Sequence, residues 1–168
     1  MGKVTFEVKD AVALLTFTNE GRMNAMDGDV ARGLRDAVAQ AKTRDDIGAL
    51  VLRGAGEQSF CSGADLKFVQ TFPDREDGFR LLDSDIKHFR TEMRELPFPT
   101  VAMMHRICYG GGCYIAAATD FRFSDPELKL AIPAVRTRRF YSITAIKRLG
   151  DLMGHTNIKR VLLGDEVF

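Results

Sequence analysis

Twice in this chain a short apolar run leads into a glycine-rich turn and then into the start of a helix. The first run, at 47–53, is followed by "FCSGADL", and the second, at 100–105, is followed by "YGGGCYI". Apolar runs of this length are typical of strands buried on both faces, as in parallel sheets. Strands that alternate with helices in this way predict an α/β protein with mostly parallel strand pairing.

The segments around these turns continue the alternation. Two short strands are predicted in "VTFEVKDAVALLTFTN", and a helix follows at 28–43 with Asp27 or Asp29 as its N-cap. The clearest helix covers 76–96, where an apolar residue recurs every three or four positions. Further predicted elements are strands in "FRFSD" and "LKLAI" and helices at 140–153 and 156–163.

Three polar residues lie on the clearest helix beside its apolar stripe rather than on it. They are Asp83, Asp85 and His88. A side chain beside the stripe faces away from the centre of the buried face, so all three are expected to be exposed.

Charge and hydropathy exclude several classes of protein. The 168 residues carry a net charge of +1, so no global field favours nucleic acid or an acidic membrane. No apolar run reaches the roughly 18 residues of a membrane helix, and the N-terminus lacks the apolar stretch of a secretion signal. Three cysteines in no regular pattern fit a reducing compartment, and we expect a cytoplasmic protein.

Common phosphate, nucleophile and metal motifs do not match the chain. The Gly-Lys-Ser/Thr of a P-loop is absent, and "GAGEQS" has Ser59 where a dinucleotide fingerprint has its third glycine. "FCSGA" lacks the first glycine of a nucleophile elbow around Ser62. The spacing of His105, Cys108 and Cys113 matches no zinc pattern, so no metal is expected. Two helix starts with free backbone N–H groups could instead hold an oxygen atom that gains negative charge.

Several further stretches combine with the two turns into one longer pattern. They are "NEGRMNAM" (19–26), "FCSGADLK" (60–67), "PTVAMMHRICYGGGCYIAAATDFRFSD" (99–125), "LKLAIP" (128–133), "IKRLGDLMG" and "VLLGDEV". Together they strongly resemble the crotonase superfamily, also called the enoyl-CoA hydratase/isomerase family. The resemblance implies an α/β spiral of β-β-α units, with residues 1–168 as one core domain. It also implies an enzyme of fatty acid metabolism that acts on an acyl-CoA thioester.

The resemblance also assigns site residues. The thioester oxygen would be held in an oxyanion hole by the backbone amides of Ala64 and Gly111. Coenzyme A enters as part of the substrate, with no permanently bound cofactor. Asp65 is expected to order its loop or cap the following helix. The resemblance also places a set of residues near coenzyme A, namely Arg22, Met23, Ser62, Ala64, Leu66, Lys67 and Gly111. For Arg22 and Lys67 the alternative is a solvated surface charge.

Two positions depart from the pattern of a hydratase. Tyr114 and Ala134 stand where the family's two catalytic glutamates belong. Tyr114 can donate or orient a hydrogen bond near neutral pH, or simply pack with a hydrogen-bonded hydroxyl. Its place beside the oxyanion hole is similar to that of a tyrosine in relatives with decarboxylase-type chemistry. The basic run "VRTRR", with Arg136, Arg138 and Arg139, is either surface charge or faces an acidic acyl group.

Three functions therefore remain open at the level of sequence. The first is an enoyl-CoA hydratase or isomerase with unusual active-site residues. The second is a decarboxylase or thioester hydrolase built on the same platform. The third is a CoA-binding subunit without catalysis. The chain ends at "LLGDEVF", where relatives continue into helices that support trimers and cover the acyl pocket. A fragment, a natural short form and one subunit of a larger assembly stay open as alternatives, and so do a homotrimer, a hexamer or a partner subunit as the assembly.

Overall fold

The computed structural model describes residues 1–168, and it confirms the α/β class. The strands are β1 (Lys3–Lys9), β2 (Val12–Thr18), β3 (Ala49–Gly54), β4 (Thr100–Met104), β5 (Ile107–Tyr109), β6 (Phe121–Ser124) and β7 (Lys129–Ala131). The helices are α1 (Gly28–Lys42), α2 (Leu66–Val69), α3 (Arg75–Met93), α4 (Gly111–Ala116), α5 (Ala134–Thr137), α6 (Ile143–Met153) and α7 (His155–Leu163). No helix has both the length and the apolar character needed to cross a membrane.

The main sheet has five strands in the order β1-β2-β3-β4-β6. β1 and β2 form an antiparallel hairpin, and the remaining neighbours pair in parallel, as predicted. Alternate residues of β2 and β3, such as Leu15 and Leu52, are fully buried and lie opposite each other in the register. Since side chains alternate between the faces of a sheet, these residues build the core on one face only.

Helices α1 and α3 pack against each other. Asp27, rather than Asp29, is the N-cap of α1, and its carboxylate accepts a hydrogen bond of 2.9 Å from the Val30 amide. The predicted apolar stripe of α3 is confirmed, since its central residues Leu82, Ile86 and Phe89 are buried. The helix ends at Met93, three positions before the predicted end, because the "LPFP" segment resists helical geometry.

The expectation that Asp85 is exposed is wrong. Asp85 is buried, and its carboxylate accepts a hydrogen bond of 2.6 Å from Nη1 of Arg35 on α1. Because α1 also covers the flank of α3, a position beside the apolar stripe is enclosed, and an ion pair compensates the buried charge. Asp83 and His88 are exposed, as predicted.

A second layer, a two-stranded sheet, accompanies the main sheet and was only partly predicted. β5 and β7 pair in parallel, and an isolated bridge joins Cys61 to Cys108 of β5. A second bridge joins Met26 to Ala64. The short elements β5 and α5 were not predicted, because three or four residues are too few to show a period. These bridges bring the two glycine-rich turns together.

Candidate active site

The two glycine-rich turns lie directly against each other. Cys61 N–H donates to the carbonyl of Ile107 at 3.0 Å, and Tyr109 N–H donates to the carbonyl of Cys61 at 2.8 Å. Gly63 continues this contact, since a β-carbon at that position would lie 3.7 Å from the amide nitrogen of Gly111. The fold therefore places the "FCSGADL" and "YGGGCYI" turns side by side.

The amide of Ala64 is left without a partner by the bridge to Met26. The Met26 N–H donates to the carbonyl of Gly63 at 2.7 Å, and the Asp65 N–H donates to the carbonyl of Met26 at 2.8 Å. In an extended chain, successive peptide groups point in opposite directions, so the Ala64 N–H points away from Met26. It donates to no other protein group.

The amide of Gly111 is free for a different reason. Gly111 is the first residue of α4, where a helix has no acceptor for its N–H groups. The preceding residue, Gly110, has φ +51° and ψ −114°, a conformation that L side chains rarely adopt. The Gly110 N–H is bound to the carbonyl of Ala131 at 2.8 Å, which fixes the turn.

Both unpaired amides belong to residues that line one cavity of about 560 Å³. Helix α3 and the start of α6 form its other walls. Tyr114, one turn after Gly111 on α4, also lines it. The structure thus brings together the three residues that the sequence singled out for chemistry, Ala64, Gly111 and Tyr114. Ala134, at the position of the family's second glutamate, does not line the cavity.

Tyr114 is almost entirely enclosed. It is 4% exposed, its ring packs at 4.9 Å from that of Tyr141, and its hydroxyl has no hydrogen-bond partner. Burial raises the pKa of the Tyr114 phenol well above its usual value, and Tyr141 adds to this effect. The phenol is therefore protonated at neutral pH, and its one hydrogen-bond donor is not used by the protein.

The basic run after Pro133 divides between the surface and the cavity. Arg136 pairs with Asp165 on the surface, and Arg138 is exposed. Arg139 lines the cavity, where its Nη2 contacts both carboxylate oxygens of Asp83, at 2.8 and 2.9 Å. Its guanidinium also lies 3.9 Å from the centroid of the Phe79 ring. Of these three arginines, therefore, Arg139 alone lines the cavity.

Arg90 is a cavity residue that the sequence analysis missed. Its guanidinium carbon lies 5.9 Å from the centroid of the Tyr114 ring, and the side chain makes no hydrogen bond or ion pair. Burial lowers the pKa of Arg90, although an arginine remains charged at physiological pH. The available signal was its spacing, because Arg90 follows the buried Ile86 by one helical turn.

Apart from Ala64 and Gly111, the positions expected to bind coenzyme A lie outside this cavity. Arg22 and Ser62 are connected, because the Ser62 hydroxyl donates to the carbonyl of Arg22 at 3.2 Å. The Ser62 N–H donates to the carbonyl of Met23 at 3.1 Å. Met23, Leu66 and Lys67 are exposed. The fold therefore groups these residues on the outer side of the turn that carries Ala64.

Asp65 holds that turn in place, which confirms its predicted structural role. It is the N-cap of α2 and accepts hydrogen bonds from the amides of Lys67 at 2.9 Å and Phe68 at 3.3 Å. It also accepts from Nη1 of Arg22 at 2.9 Å. The buried Asp65 carboxylate is fully occupied with protein donors, so Arg22 serves first as its ion-pair partner.

The parallel sheet, the smaller second layer and the cavity between the two turns define a protein of the crotonase fold. The chain belongs to the enoyl-CoA hydratase/isomerase family, whose sequence profile matches residues 7–166. The resemblance noted from the motifs is thereby confirmed.

Individual relatives agree with this assignment. The chain is 29% identical over 164 residues to human ethylmalonyl-CoA decarboxylase, covering 97% of this chain and 53% of that protein. An enoyl-CoA hydratase/carnithine racemase from Magnetospirillum magneticum superimposes with a TM-score of 0.91 at 24% identity, over 98% of this chain and 62% of that one. DspI from Pseudomonas aeruginosa superimposes with a TM-score of 0.90 at 28% identity, over 99% and 62%. The chain therefore spans between about half and two-thirds of the length of these relatives.

Proposed function

We propose that this protein acts on an acyl-CoA thioester and stabilises an enolate on the amides of Ala64 and Gly111. One observation carries the proposal: two backbone amides without protein acceptors belong to adjacent turns and to residues of the same cavity. Membership of the family supports the thioester as the substrate. Charge that develops on the thioester oxygen would be stabilised by these donors, each worth about 3 kcal/mol in the transition state.

Among the reactions that pass through an enolate, decarboxylation fits this cavity best. Hydration needs a base that activates water, and isomerisation needs a base that removes the α-proton, but the one acidic residue that lines the cavity, Asp83, is bound to Arg139. Decarboxylation needs no such base. The bond between the α-carbon and the carboxylate breaks, its electron pair enters the thioester as an enolate, and CO₂ leaves. The α-carbon then takes up a proton. The name of the human relative, ethylmalonyl-CoA decarboxylase, points to the same chemistry.

Tyr114 has the properties of a donor in this scheme rather than of a base. Its phenol stays protonated because burial raises its pKa. Its hydroxyl has no protein partner, so it is available to a bound substrate or to the enolate. We propose that it orients the acyl group or returns the proton.

The outer surface of the Ala64 turn is proposed to hold the nucleotide part of coenzyme A. Its residues are Arg22, Met23, Ser62, Leu66 and Lys67, with the backbone of Ala64. No permanent cofactor is proposed. Two alternatives to decarboxylation stay open, thioester hydrolysis and a CoA-binding subunit without catalysis. A cytoplasmic location and assembly into trimers or hexamers are proposed as well.

The test is a comparison of acyl-CoA thioesters, with products followed by mass spectrometry. Methylmalonyl-CoA should lose CO₂ and yield propionyl-CoA, whereas crotonyl-CoA should be hydrated far more slowly. Faster hydration than decarboxylation would contradict the preferred reaction. Binding without turnover would favour the non-catalytic subunit. If no CoA compound raises the melting temperature, the proposal of a thioester site fails.

A further inference from the structure

We infer that Arg90 binds a carboxylate carried by the acyl group of the substrate. The inference rests on the proposed function, because it assumes that a thioester occupies the cavity between Ala64 and Gly111. It adds to that function the residue that distinguishes carboxylated acyl groups from uncharged ones.

The first observation is that the half-buried Arg90 has no anionic partner, and its guanidinium lies only against the Tyr114 ring. Two other arginines of the same cavity are neutralised, since Arg80 contacts Asp77 at 3.5 Å and Arg139 contacts Asp83 at 2.8 Å. Arg90 makes neither an ion pair nor a hydrogen bond. A partly buried charge without a partner costs folding free energy, and a bound anion would recover it.

The second observation is the hydroxyl of Tyr114. It is also unpaired, on a side chain that is 4% exposed, and its ring lies next to the Arg90 guanidinium. A carboxylate has two oxygens that only accept hydrogen bonds, whereas a guanidinium has five donors and a phenol has one. A carboxylate in contact with both groups would therefore satisfy two orphaned side chains at once.

The position along the substrate follows from the helix that carries Tyr114. Gly111, one turn earlier on α4, is proposed to bind the thioester oxygen, so the Tyr114–Arg90 pair is close to the thioester. The phosphates of coenzyme A are separated from its sulfur by the whole pantetheine arm. The anion that reaches Arg90 is therefore a carboxylate on a short acyl group rather than a phosphate.

The charge of the cavity agrees with an anionic acyl group. Its lining includes four basic residues and one acidic residue, Asp83. The basic residues are Arg80, Lys87, Arg90 and Arg139. An uncharged acyl chain would gain nothing from this excess of positive charge.

An ion pair to the carboxylate that leaves as CO₂ would have a recognisable kinetic signature. The pair exists in the substrate complex and weakens as the carboxylate loses its charge. It therefore contributes to binding more than to the rate of the chemical step. Arg90→Met should raise KM for methylmalonyl-CoA by about 10- to 100-fold without lowering kcat.

The experiment measures binding and turnover of three thioesters, methylmalonyl-CoA, succinyl-CoA and propionyl-CoA, by calorimetry and product analysis. The variants are Arg90→Met, Arg90→Lys and, as matched control, Arg75→Met on the exposed first turn of α3. Arg90→Met should weaken the carboxylated thioesters, leave propionyl-CoA unchanged, and keep the melting temperature at or above that of the wild type. Arg90→Lys should restore part of the affinity, because it keeps the charge but loses the planar fork.

The outcomes separate the inference from the proposed function. A loss of affinity in Arg90→Met for either carboxylated thioester supports the inference. Loss for methylmalonyl-CoA places the bound carboxylate on the α-carbon, and loss for succinyl-CoA places it at the far end of the acyl group. Equal weakening of propionyl-CoA, or an unchanged affinity for both carboxylated thioesters, overturns it. If the carboxylated thioesters bind through Arg90 but are not turned over, the inference stands and the proposed decarboxylation fails.

Discussion

The terminal methyl group of Met26 occupies the space into which a side chain at Gly111 would extend. Met26 is held there because its N–H and its carbonyl bind the backbone of Gly63 and Asp65. The bridge fixes the backbone of Met26, but its methyl group is the end of a flexible side chain, so a β-carbon at position 111 would displace that methyl group. The turn needs bare backbone at the next position, because a β-carbon at Gly112 would lie 2.9 Å from the carbonyl oxygen of Cys61.

Replacing Gly111 by proline should reduce kcat by about 100- to 1,000-fold, because it removes one amide donor. The substitution is compatible with the backbone, since proline is common at the first position of a helix. Gly111→Ala is the matched control, because it adds a β-carbon but keeps the N–H. Both should be made with Met26→Ala, which clears the space. Steady-state kinetics that show equal activity in the proline and alanine variants would remove Gly111 from the proposed oxyanion hole.

Tyr114→Phe should reduce turnover without reducing stability. Its hydroxyl is buried with no partner, so deleting it should leave the free energy of unfolding unchanged or raise it by about 1 kcal/mol. The rate should fall by about 10- to 100-fold if the hydroxyl donates to substrate. Tyr109→Phe, on half-buried β5, is the control. Urea denaturation gives the stability of each variant, and steady-state kinetics give its rate. A Tyr114→Phe variant that loses stability but keeps its rate would contradict the role of the hydroxyl as a donor to substrate.

The ion pair between Arg35 and Asp85 should contribute more to stability than a nearby exposed pair. Asp85 is buried, so Asp85→Ala removes an enclosed hydrogen bond to Arg35, which keeps its exposed pair with Asp36, and should cost about 1–2 kcal/mol. Lys42 and Glu95 form an exposed pair of 3.0 Å between α1 and the residues after α3. Glu95→Ala should cost less than about 1 kcal/mol. If urea denaturation gives equal losses of unfolding free energy for Asp85→Ala and Glu95→Ala, the Asp85 pair is no better shielded from solvent than the exposed pair.

The features that were predicted from the sequence are local ones. The two glycine-rich turns could be recognised because strand, glycine and helix start follow one another along the chain. The cap at Asp65 could be recognised because the amides that donate to its carboxylate lie two and three residues later. The stripe of α3 could be recognised because its period depends only on helical geometry.

The features that were not predicted depend on which segments meet in space. Asp85 is buried because α1 covers a second flank of α3, and no periodicity within α3 reveals that contact. Arg90 lines the cavity because α4 places Tyr114 beside it. Arg139 lines the cavity because its ion pair with Asp83 holds it against α3, 56 residues away in sequence. The cavity itself is thus a product of long-range packing, whereas the two amide turns can be recognised from local sequence.

Stability should fall as the pH rises above about 9, partly because of Cys61. Burial raises the pKa of the Cys61 thiol to about 12, whereas an unfolded cysteine titrates near 8.5. Between these values the unfolded chain releases a proton that the folded chain keeps. The stabilisation is therefore complete below about pH 8.5 and is lost at up to about 1.4 kcal/mol per pH unit as the pH rises towards 12.

Urea denaturation at pH 8, 9 and 10 measures this slope. Tyrosine and lysine also titrate in the range, so the comparison that isolates Cys61 is between the wild type and Cys61→Ala. Cys61→Ala should be less stable at pH 8, because it leaves a small cavity, but its stability should fall less steeply with pH. The pKa of Cys108 is raised too, first by the hydrogen bond with Cys113 and then by burial, so part of the slope should remain. A slope identical to that of the wild type would mean that Cys61 does not hold its proton in the folded state.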